Sequence, residues 1–261
     1  MEIFGLKTPL IKEGDDLVSL ALECSLKARN RIRDRDIVIF SAKAVGTSQG
    51  RLVDLSKVKP TPKAEKVAQK HKLDPRFAQV ILDEADSVLG GVDMALLTVK
   101  GGVLIANAGA DQSNAPLEHA ALWPEDPQST AEELRQAFKE KGVDVGVMVI
   151  DSRTMPLRMG SSAVALGVAG FAPVDDLRGK KDLFGRAMKI KRAALADELA
   201  AAANVVMGET SESVPVAVAR GAPVRFEEGH CIEEAFIPVD QCLIMHVVGR
   251  SVETRGKGRT N

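Results

Sequence analysis

Val145-Gly-Val-Met-Val-Ile-Asp151 is a run of apolar, largely β-branched residues that ends in a carboxylate. Its composition and length predict a buried β-strand. Asp36-Ile-Val-Ile-Phe40 predicts a second buried strand. Residues 95–99 and 103–106 flank Lys100-Gly-Gly102 and predict a hairpin. These short strands are the expected framework, and the other elements are placed around them.

Helical periodicity and turn residues predict the remaining elements. The predicted helices run from the acidic stretch 13–16 to about residue 27, from 74 to 89 with a stop at 90–91, from 129 to about 141 behind two overlapping capping boxes, and from 193 to 207. Further strands are predicted at 163–169, 187–190, 214–219 and 243–248, with a loop at 57–62 and a long polar loop at 107–128. Helices and strands are mixed without a regular βαβ rhythm. This favours an α+β fold, with mixed sheets and flanking helices, over a doubly wound parallel sheet.

The composition limits the classes of function. The 261 residues carry a formal net charge of −1, 45% are hydrophobic and only 3% are aromatic. These values fit a folded domain, and they argue against a nucleic-acid or membrane-surface partner. Three widely spaced cysteines, with no signal-peptide pattern and no spanning apolar run, predict a cytoplasmic protein. Residues 1–250 are expected to form one catalytic unit, which can consist of two closely packed subdomains. Residues 251–261 are expected to form a flexible basic tail.

Two aspartates occupy matching places in the chain. Asp111 follows the apolar strand in Gly101–Ala110, and Asp151 follows the strand quoted first. If these strands are neighbours, both carboxylates converge on one divalent cation such as Mg²⁺, with the Ser152 hydroxyl beside them. Glu209, after the glycine that closes an Ala-rich helix, can complete the oxygen ligands. In the alternative interpretation the aspartates are turn formers or helix caps and Glu209 is a solvated carboxylate.

Two further segments have the composition of anion sites. Asn107–Asn114 is rich in small and polar residues, so its backbone can approach a phosphate closely. It carries no Walker A or G-x-G-x-x-G pattern, and an Asx-rich turn remains the alternative. Arg178–Arg186 is a basic cluster that either holds an anionic substrate group or forms a solvated face.

Six segments, taken in order, resemble one family, the coenzyme F420-0:L-glutamate ligases, which are the γ-glutamyl ligases that finish a deazaflavin coenzyme. The segments are Pro9–Leu17 (PLIKEGDDL), Asn107–Asn114 (NAGADQSN), Asp151-Ser152, Gly179–Arg186 (GKKDLFGR), Ala196–Ala200 (ADELA) and Met207-Gly-Glu209. Together they cover roughly residues 8 to 221. No single segment is specific to the family, whereas the ordered set is.

The resemblance implies a GTP-dependent ligase that forms amide bonds with the help of divalent metal. It implies an unusual α+β fold, neither Rossmann nor ATP-grasp, in an intertwined homodimer. The implied partners are GTP, L-glutamate and coenzyme F420-0, and the implied cofactors are two Mg²⁺ or Mn²⁺ ions, with K⁺ as a further candidate. The implied metal ligands are Asp111, Asp151, Ser152 and Glu209. The implied nucleotide contacts are Thr8, Pro9, Leu10, Ile11, Lys43, Asn114, Met207, Gly208, Glu209 and Thr210. The implied catalytic residues are Asp111, Asp151 and Arg158.

Two departures from the family pattern leave the acceptor open. The family's Asp-Thr-x-Gly-Arg reads Asp-Ser-Arg-Thr-Met from Asp151 onward, although Arg153 and Arg158 lie nearby. The family's lysine in Ser-Lys-Ala-Glu-Gly-Arg is Thr47 here, and the nearest lysine is Lys43. Two alternatives therefore stand beside the first reading: the same chemistry on a different acceptor, and a non-catalytic relative that binds GTP or metal.

The implied reaction has two steps. GTP phosphorylates a carboxylate of the acceptor to an acyl phosphate, and the amine of L-glutamate then displaces phosphate. Metal on Asp111, Asp151, Ser152 and Glu209 would neutralise the charge on the transferred phosphoryl group. Arg153, Arg158 or the cluster around Lys180 is expected to hold the acceptor's phosphodiester. No side chain in the sequence stands out as a general base.

Overall fold

The computed structural model describes residues 1–247. The strands are β1 (Glu2–Leu6), β2 (Ile37–Ser41), β3 (Leu52–Asp54), β4 (Ser87–Val92), β5 (Ala95–Lys100), β6 (Val103–Ala106), β7 (His119–Ala121), β8 (Gly146–Thr154), β9 (Ser161–Ala169), β10 (Asp175–Asp176), β11 (Arg192–Ala193) and β12 (Val216–Arg220). The helices are α1 (Leu17–Lys27), α2 (Ala42–Ser48), α3 (Pro62–His71), α4 (Pro75–Glu84), α5 (Pro127–Glu140) and α6 (Leu195–Met207). Short 3₁₀ turns span Leu55–Lys57, Asn107–Gly109 and Ile232–Ala235.

The largest sheet has the strand order β1-β12-β2-β8-β9. β2 and β8 pair in parallel, with Ser41 opposite Ile150, while the other neighbours pair antiparallel. Both central strands are covered on two faces, which explains why each reads as a nearly continuous apolar run. The strands predicted at 36–40 and 145–150 are therefore confirmed, and so are those at 163–169 and 214–219, each within a few residues.

Alternate residues of the central strands enter two different cores. Phe40 and Val149 face the side covered by α1 and α5. Ile39 and Met148 face the side covered by α6. The sheet is thus sandwiched between helices, and the mixed arrangement of strands and helices confirms the α+β class.

A smaller group of elements packs beside the sheet. α3, α4, the β4-β5-β6 sheet and the β3-β7 pair surround a separate core that contains Phe77, Ile81 and Leu96. The hairpin predicted around residues 100–102 is confirmed as β5 and β6. One catalytic unit across residues 1–250 stays a prediction, and the basic tail at 251–261 lies outside the described residues.

Two predicted helix limits are wrong. α4 ends at Glu84 rather than at 89, because Ala85 is extended and residues 87–92 pair with β5 instead. Gly90 and Gly91 consequently lie inside a bulged strand and do not stop a helix. α5 begins at Pro127, where Asp126 accepts from the Ser129 N–H as N-cap. The capping boxes predicted at residues 129–133 are not used.

Several other local predictions also differ from the structure. Residues 187–190 form no strand apart from an isolated bridge between Lys181 and Ala187. Residues 243–247 are helical, and the His246 N–H donates to the Cys242 carbonyl. The loop predicted at 107–128 contains β7 and the first residues of α5. Asp151 lies inside β8 rather than after it, because pairing with β9 continues to Thr154.

Two features bear on the expected environment of the protein. No helix among residues 1–247 combines the length and the apolar composition that crossing a bilayer requires. All three cysteines fall within the described residues, and each is a free thiol, with Cys24 buried and Cys231 and Cys242 partly exposed.

Candidate active site

A cavity of about 250 Å³ opens beyond the carboxyl end of β2, where the neighbouring parallel strand β8 runs on from Ile150 through Asp151 and Ser152. β2 runs directly into α2, so Ser41 and the first turns of that helix form one wall. The other walls come from residues 8–11 after β1, from residues 111–114, from residues 150–152 of β8, and from residues 204–215, which span the last turn of α6 and the segment before β12. The cavity therefore collects segments from between residues 8 and 215 around the end of β2 and the middle of β8.

Nearly all the residues implied for the site line this cavity. They are Thr8, Pro9, Leu10, Ile11, Lys43, Asp111, Asn114, Asp151, Ser152, Met207, Gly208, Glu209 and Thr210. Arg158 does not join them, because it is exposed in the connection between β8 and β9. Thr47 lines the cavity with Lys43, which precedes it by one helical turn on the same face of α2.

Asp111 is held in a charged hydrogen-bond cluster. Its Oδ2 atom accepts from Lys43 Nζ at 2.6 Å and from Ser113 Oγ at 2.6 Å, and Oδ1 accepts from the Ser113 N–H at 2.8 Å. Burial raises the pKa of this carboxyl, but the Lys43 and Ser113 hydrogen bonds outweigh burial and hold the pKa below its ordinary value. Asp111 is therefore ionised and paired.

Asp151 has a different environment although it faces the same cavity. Its Oδ2 atom accepts from the indole Nε1 of Trp123 at 2.6 Å. Desolvation dominates over this hydrogen bond and raises the pKa of Asp151 to about 6. The nearby Asp111 charge also raises the pKa of Asp151, whereas Lys43 lowers it. The two aspartates thus differ in their affinity for a proton.

Hydrogen bonds tie the cavity loops to one another. Asn114 Nδ2 donates to the Thr210 carbonyl at 2.7 Å, and the Thr8 N–H donates to the Ser213 carbonyl at 2.9 Å. Glu209 is exposed, and its Oε1 atom accepts from Ser161 Oγ at 2.9 Å and Asn204 Nδ2 at 2.8 Å. The loop after α6 is in this way linked to β9 and to the 107–114 segment.

The donor set fits a hard divalent cation in its chemistry. Carboxylate and hydroxyl oxygens from Asp111, Asp151, Ser152 and Glu209 line one cavity, and such oxygens are the ligands that Mg²⁺ and Mn²⁺ prefer. Within residues 1–247, however, no three acidic, histidine or cysteine side chains are gathered closely enough to hold an ion among themselves. The Lys43 ammonium supplies the positive charge beside Asp111 in this arrangement.

The other basic residues named from the sequence lie elsewhere. Arg153 donates from its terminal nitrogen to Asp197 of α6 at 3.4 Å, and its buried Nε atom has no hydrogen-bond partner within residues 1–247. Arg178 pairs with Asp176, and Lys180 pairs with Asp175 at 3.2 Å. None of these residues lines the cavity, and Arg178 and Lys180 are paired with neighbouring aspartates.

Sequence reasoning missed two contributors to the site. Ser113 lies inside the quoted Asn107–Asn114 segment, and only the fold shows that its hydroxyl reaches Asp111. Trp123 carried no signal beyond being the single tryptophan of the chain. Its role depends on a contact across 28 residues of sequence, which spacing does not disclose.

Comparison with known proteins shows the family to which the chain belongs. The sequence model of the family described as F420-0:Gamma-glutamyl ligase matches residues 5–221, a span that contains every residue lining the cavity. The chain belongs to this family. The resemblance drawn from the six segments is thereby confirmed, and the chain is a member of a family of ligases that form carbon–nitrogen bonds.

Individual relatives align over most of their length. The coenzyme F420:L-glutamate ligase of Methanopyrus kandleri is 39% identical over 219 residues, which are 83% of this chain and 85% of the relative. The protein of the same name from Methanocaldococcus jannaschii is 38% identical over 231 residues, 88% of this chain and 91% of the relative. That of Archaeoglobus fulgidus is 34% identical over 252 residues, 96% and 98% of the two chains.

Proposed function

We propose that this γ-glutamyl ligase family member adds L-glutamate to coenzyme F420-0, with GTP as the source of energy and divalent metal as cofactor. The observation that carries the proposal is the cavity itself, which brings together two aspartates, a lysine and several hydroxyls from distant segments. A carboxylate of the acceptor attacks the γ-phosphorus of GTP, and GDP leaves. The glutamate amine then attacks the acyl phosphate, an amide bond forms, and inorganic phosphate leaves.

Different residues of the cavity would bind the metal, the phosphate and the nucleotide. Asp111, Asp151, Ser152 and Glu209 would hold two Mg²⁺ or Mn²⁺ ions, which when bound neutralise charge on the phosphoryl group during transfer. Lys43 faces the same space and can donate to a phosphate oxygen. Residues 8–11, Asn114 and 207–210 form the walls that would enclose the nucleotide. K⁺ is retained as a further candidate ion.

The position of Lys43 also bears on the non-catalytic alternative. That alternative rests on Thr47 standing where the family has a lysine. Because Lys43 lines the cavity one helical turn before Thr47, its ammonium supplies a positive charge to the same wall of the cavity. A catalytic site is therefore the better-supported function.

A different acceptor is the second candidate, and one observation favours it. The altered residues 153–157 lie in the β8–β9 hairpin, directly after the cavity residues Asp151 and Ser152. In this hairpin Leu157 and Met159 are fully exposed, and Arg158 is exposed between them. A change at such a surface would alter contacts with an acceptor without removing the oxygen ligands.

The expected homodimer belongs to the same proposal. Exposed apolar side chains occur in two connections: Leu157 and Met159 in the β8–β9 hairpin, and Leu183, Phe184 and Ile190 between β10 and β11. Such residues are commonly covered by a partner. We expect light scattering to give the mass of a dimer. We also expect the enzyme to be cytoplasmic.

One assay tests the proposed function. Purified protein is incubated with coenzyme F420-0, L-glutamate, GTP or ATP, and Mg²⁺ or Mn²⁺, and the product mass is measured. A gain of one or more glutamate residues with GTP supports the proposal, and Asp151→Ala should abolish the gain while leaving the circular dichroism spectrum unchanged. Undiminished turnover of Asp151→Ala would contradict the site, and no mass gain with wild type would favour another acceptor.

A further inference from the structure

Trp123 contacts Asp151 from behind the cavity. The side chain is only 2% exposed, and its indole N–H donates to Asp151 Oδ2 at 2.6 Å. Trp123 is not among the residues that line the cavity, so its contact with the site is through Asp151. Its polar atom is committed to one oxygen of a carboxylate whose surroundings otherwise penalise the charged form.

Two basic residues contact Trp123, one at its backbone carbonyl and one at its ring. Its carbonyl accepts from Arg51 Nε at 3.1 Å, and Lys100 Nζ lies 5.2 Å from the centroid of its ring. Glu84 accepts from both basic groups, with Arg51 at 2.9 Å and Lys100 at 2.5 Å. All three charged side chains are largely buried, so this Arg51–Glu84–Lys100 network is a rigid support rather than a solvated cluster.

The remaining side of the indole meets the 107–109 turn. A Cβ atom on Gly109 would lie 2.1 Å from Trp123 Nε1, so the backbone of this turn packs directly against the indole nitrogen. The turn is fixed in place because the Ala108 N–H donates to Thr98 Oγ1 at 2.8 Å. The indole therefore has little freedom to move away from Asp151.

We propose that Trp123 is a positioning residue for metal binding, fixing the Asp151 carboxylate through its indole N–H. This inference rests on the proposed metal site. Because Trp123 holds Oδ2, the carboxylate is fixed in one rotamer before any ion binds. Binding of an ion to its other oxygen therefore costs less conformational entropy. A cation over the indole ring also draws electron density from the ring, which strengthens the N–H as a donor.

The single tryptophan allows this inference to be tested by an isosteric replacement. Expression in a tryptophan-requiring host supplied with benzothienylalanine exchanges the indole N–H for sulfur at residue 123 alone, with the bicyclic shape retained. Mn²⁺ binding is then measured by electron paramagnetic resonance in the absence of nucleotide. Loss of a group that orients a metal ligand typically weakens binding about tenfold or more, and we expect a loss of this size here.

Three controls separate positioning from a structural role and from failure of the metal site. The replaced protein should keep the wild-type melting temperature, and its apparent KM for Mn²⁺ should rise while kcat at saturating Mn²⁺ changes little. Trp123→Phe, which also lacks the donor, should weaken Mn²⁺ binding in the same direction. Asp151→Ala should abolish binding at this site.

The outcomes are distinct. Equal Mn²⁺ affinity of the wild-type and replaced proteins would overturn the positioning role while leaving the metal site intact. Absence of Mn²⁺ binding by the wild type would contradict the metal site, and the positioning role with it. Weaker binding together with an equally lowered melting temperature in both Trp123 variants would assign the residue to folding alone and overturn the proposal.

Discussion

Lys43 donates to Asp111 at 2.6 Å although 68 residues separate the two in sequence. The pair exists because α2 begins directly after the central strand β2, while residues 107–114 return from the β4-β5-β6 sheet to the same strand ends. The ammonium also donates to the Ser113 carbonyl at 2.8 Å and to its hydroxyl at 3.0 Å. Without metal, Lys43 therefore compensates the charge of Asp111.

The first prediction concerns this compensation. Lys43→Met should tighten Mn²⁺ binding to the nucleotide-free protein by about tenfold, since a competing positive charge leaves the site. The same variant should lose at least about tenfold in turnover with GTP, because a charge-assisted donor to phosphate is lost. Electron paramagnetic resonance and steady-state kinetics measure the two effects. The control is Lys66→Met, on the exposed face of α3, which should change neither the Mn²⁺ affinity nor the turnover. Weaker Mn²⁺ binding by Lys43→Met would contradict the role of Lys43 in compensating the charge of Asp111.

The second prediction concerns the cost of keeping Asp151 ionised. Its pKa is raised from 3.8 to about 6 in the folded protein, so the ionised form destabilises the fold above that pH. In metal-free buffer with chelator, Asp151→Asn should stabilise the protein at pH 7 by up to about 3 kcal/mol. This advantage should shrink as the pH falls through 6 and vanish below 3.8, as followed by chemical denaturation.

Asp111→Asn should change the free energy of unfolding at pH 7 in the direction opposite to Asp151→Asn, although both residues face the same cavity. The pKa of Asp111 is lowered, so its ionised form contributes stability above the ordinary carboxyl pKa that is lost as the pH falls through the lowered value. This variant should therefore be less stable than wild type at pH 7 and approach it in acid. Two aspartate variants that shift stability in the same direction at pH 7 would contradict the different environments described here.

The sequence predicts the site residues that belong to a local pattern, and it does not predict those placed by tertiary packing. The apolar runs that become β2 and β8 are recognisable because strands buried on two faces need continuous hydrophobic sequence. Asp151 is found because it ends such a run. Trp123 is not found, because its contact with Asp151 depends on how the residue after β7 packs into the core beneath the large sheet.

The misplaced elements have a similar cause. Residues 85–92 have a pattern that suits a helix end, yet they form β4 because β5 offers a partner for their backbone groups. Ser129 and Thr130 have the residue types of capping boxes, but Asp126 caps α5 first, and the Thr130 hydroxyl donates to the Asp126 carbonyl instead. Local residue types thus identified the elements, and tertiary pairing set their limits.

The third prediction follows from the close approach of Gly109 to Trp123. Gly109→Ala should push the indole away from Asp151, because the new Cβ would lie 2.1 Å from Nε1. We expect a loss of about 2–3 kcal/mol in the free energy of unfolding and weaker Mn²⁺ binding. Gly101→Ala is a matched control, because Gly101 also has a positive φ but no atom of residues 1–247 lies within 4 Å of its Cβ position. It should cost about 1 kcal/mol from backbone strain alone and leave Mn²⁺ binding unchanged; equal effects would contradict the steric argument.

The fourth prediction uses Trp123 as a reporter. The chain has one tryptophan and no tyrosine, so its ultraviolet emission originates at residue 123. Because the indole donates directly to Asp151, Mn²⁺ bound at that carboxylate should quench the emission saturably, while diamagnetic Mg²⁺ should change it much less. The midpoint should match the affinity measured by electron paramagnetic resonance. Saturable quenching that persists in Asp151→Ala would place the ion elsewhere.

The fifth prediction separates stability from the site. Asp36, 2% exposed at the start of β2, accepts from Arg220 Nε at 3.0 Å and from its terminal nitrogen at 2.7 Å, which joins β2 to β12. Asp36→Asn leaves the guanidinium without its counter-charge and should cost roughly 3 kcal/mol in the free energy of unfolding. The exposed pair Glu23–Lys27 gives the comparison, since Glu23→Gln should cost less than about 0.5 kcal/mol.

Asp36 lies at the end of β2 opposite Ser41 and the cavity, so kcat of the folded variant at 25 °C should equal that of wild type. A drop in kcat without a loss of stability would show that this end of the strand also controls the site.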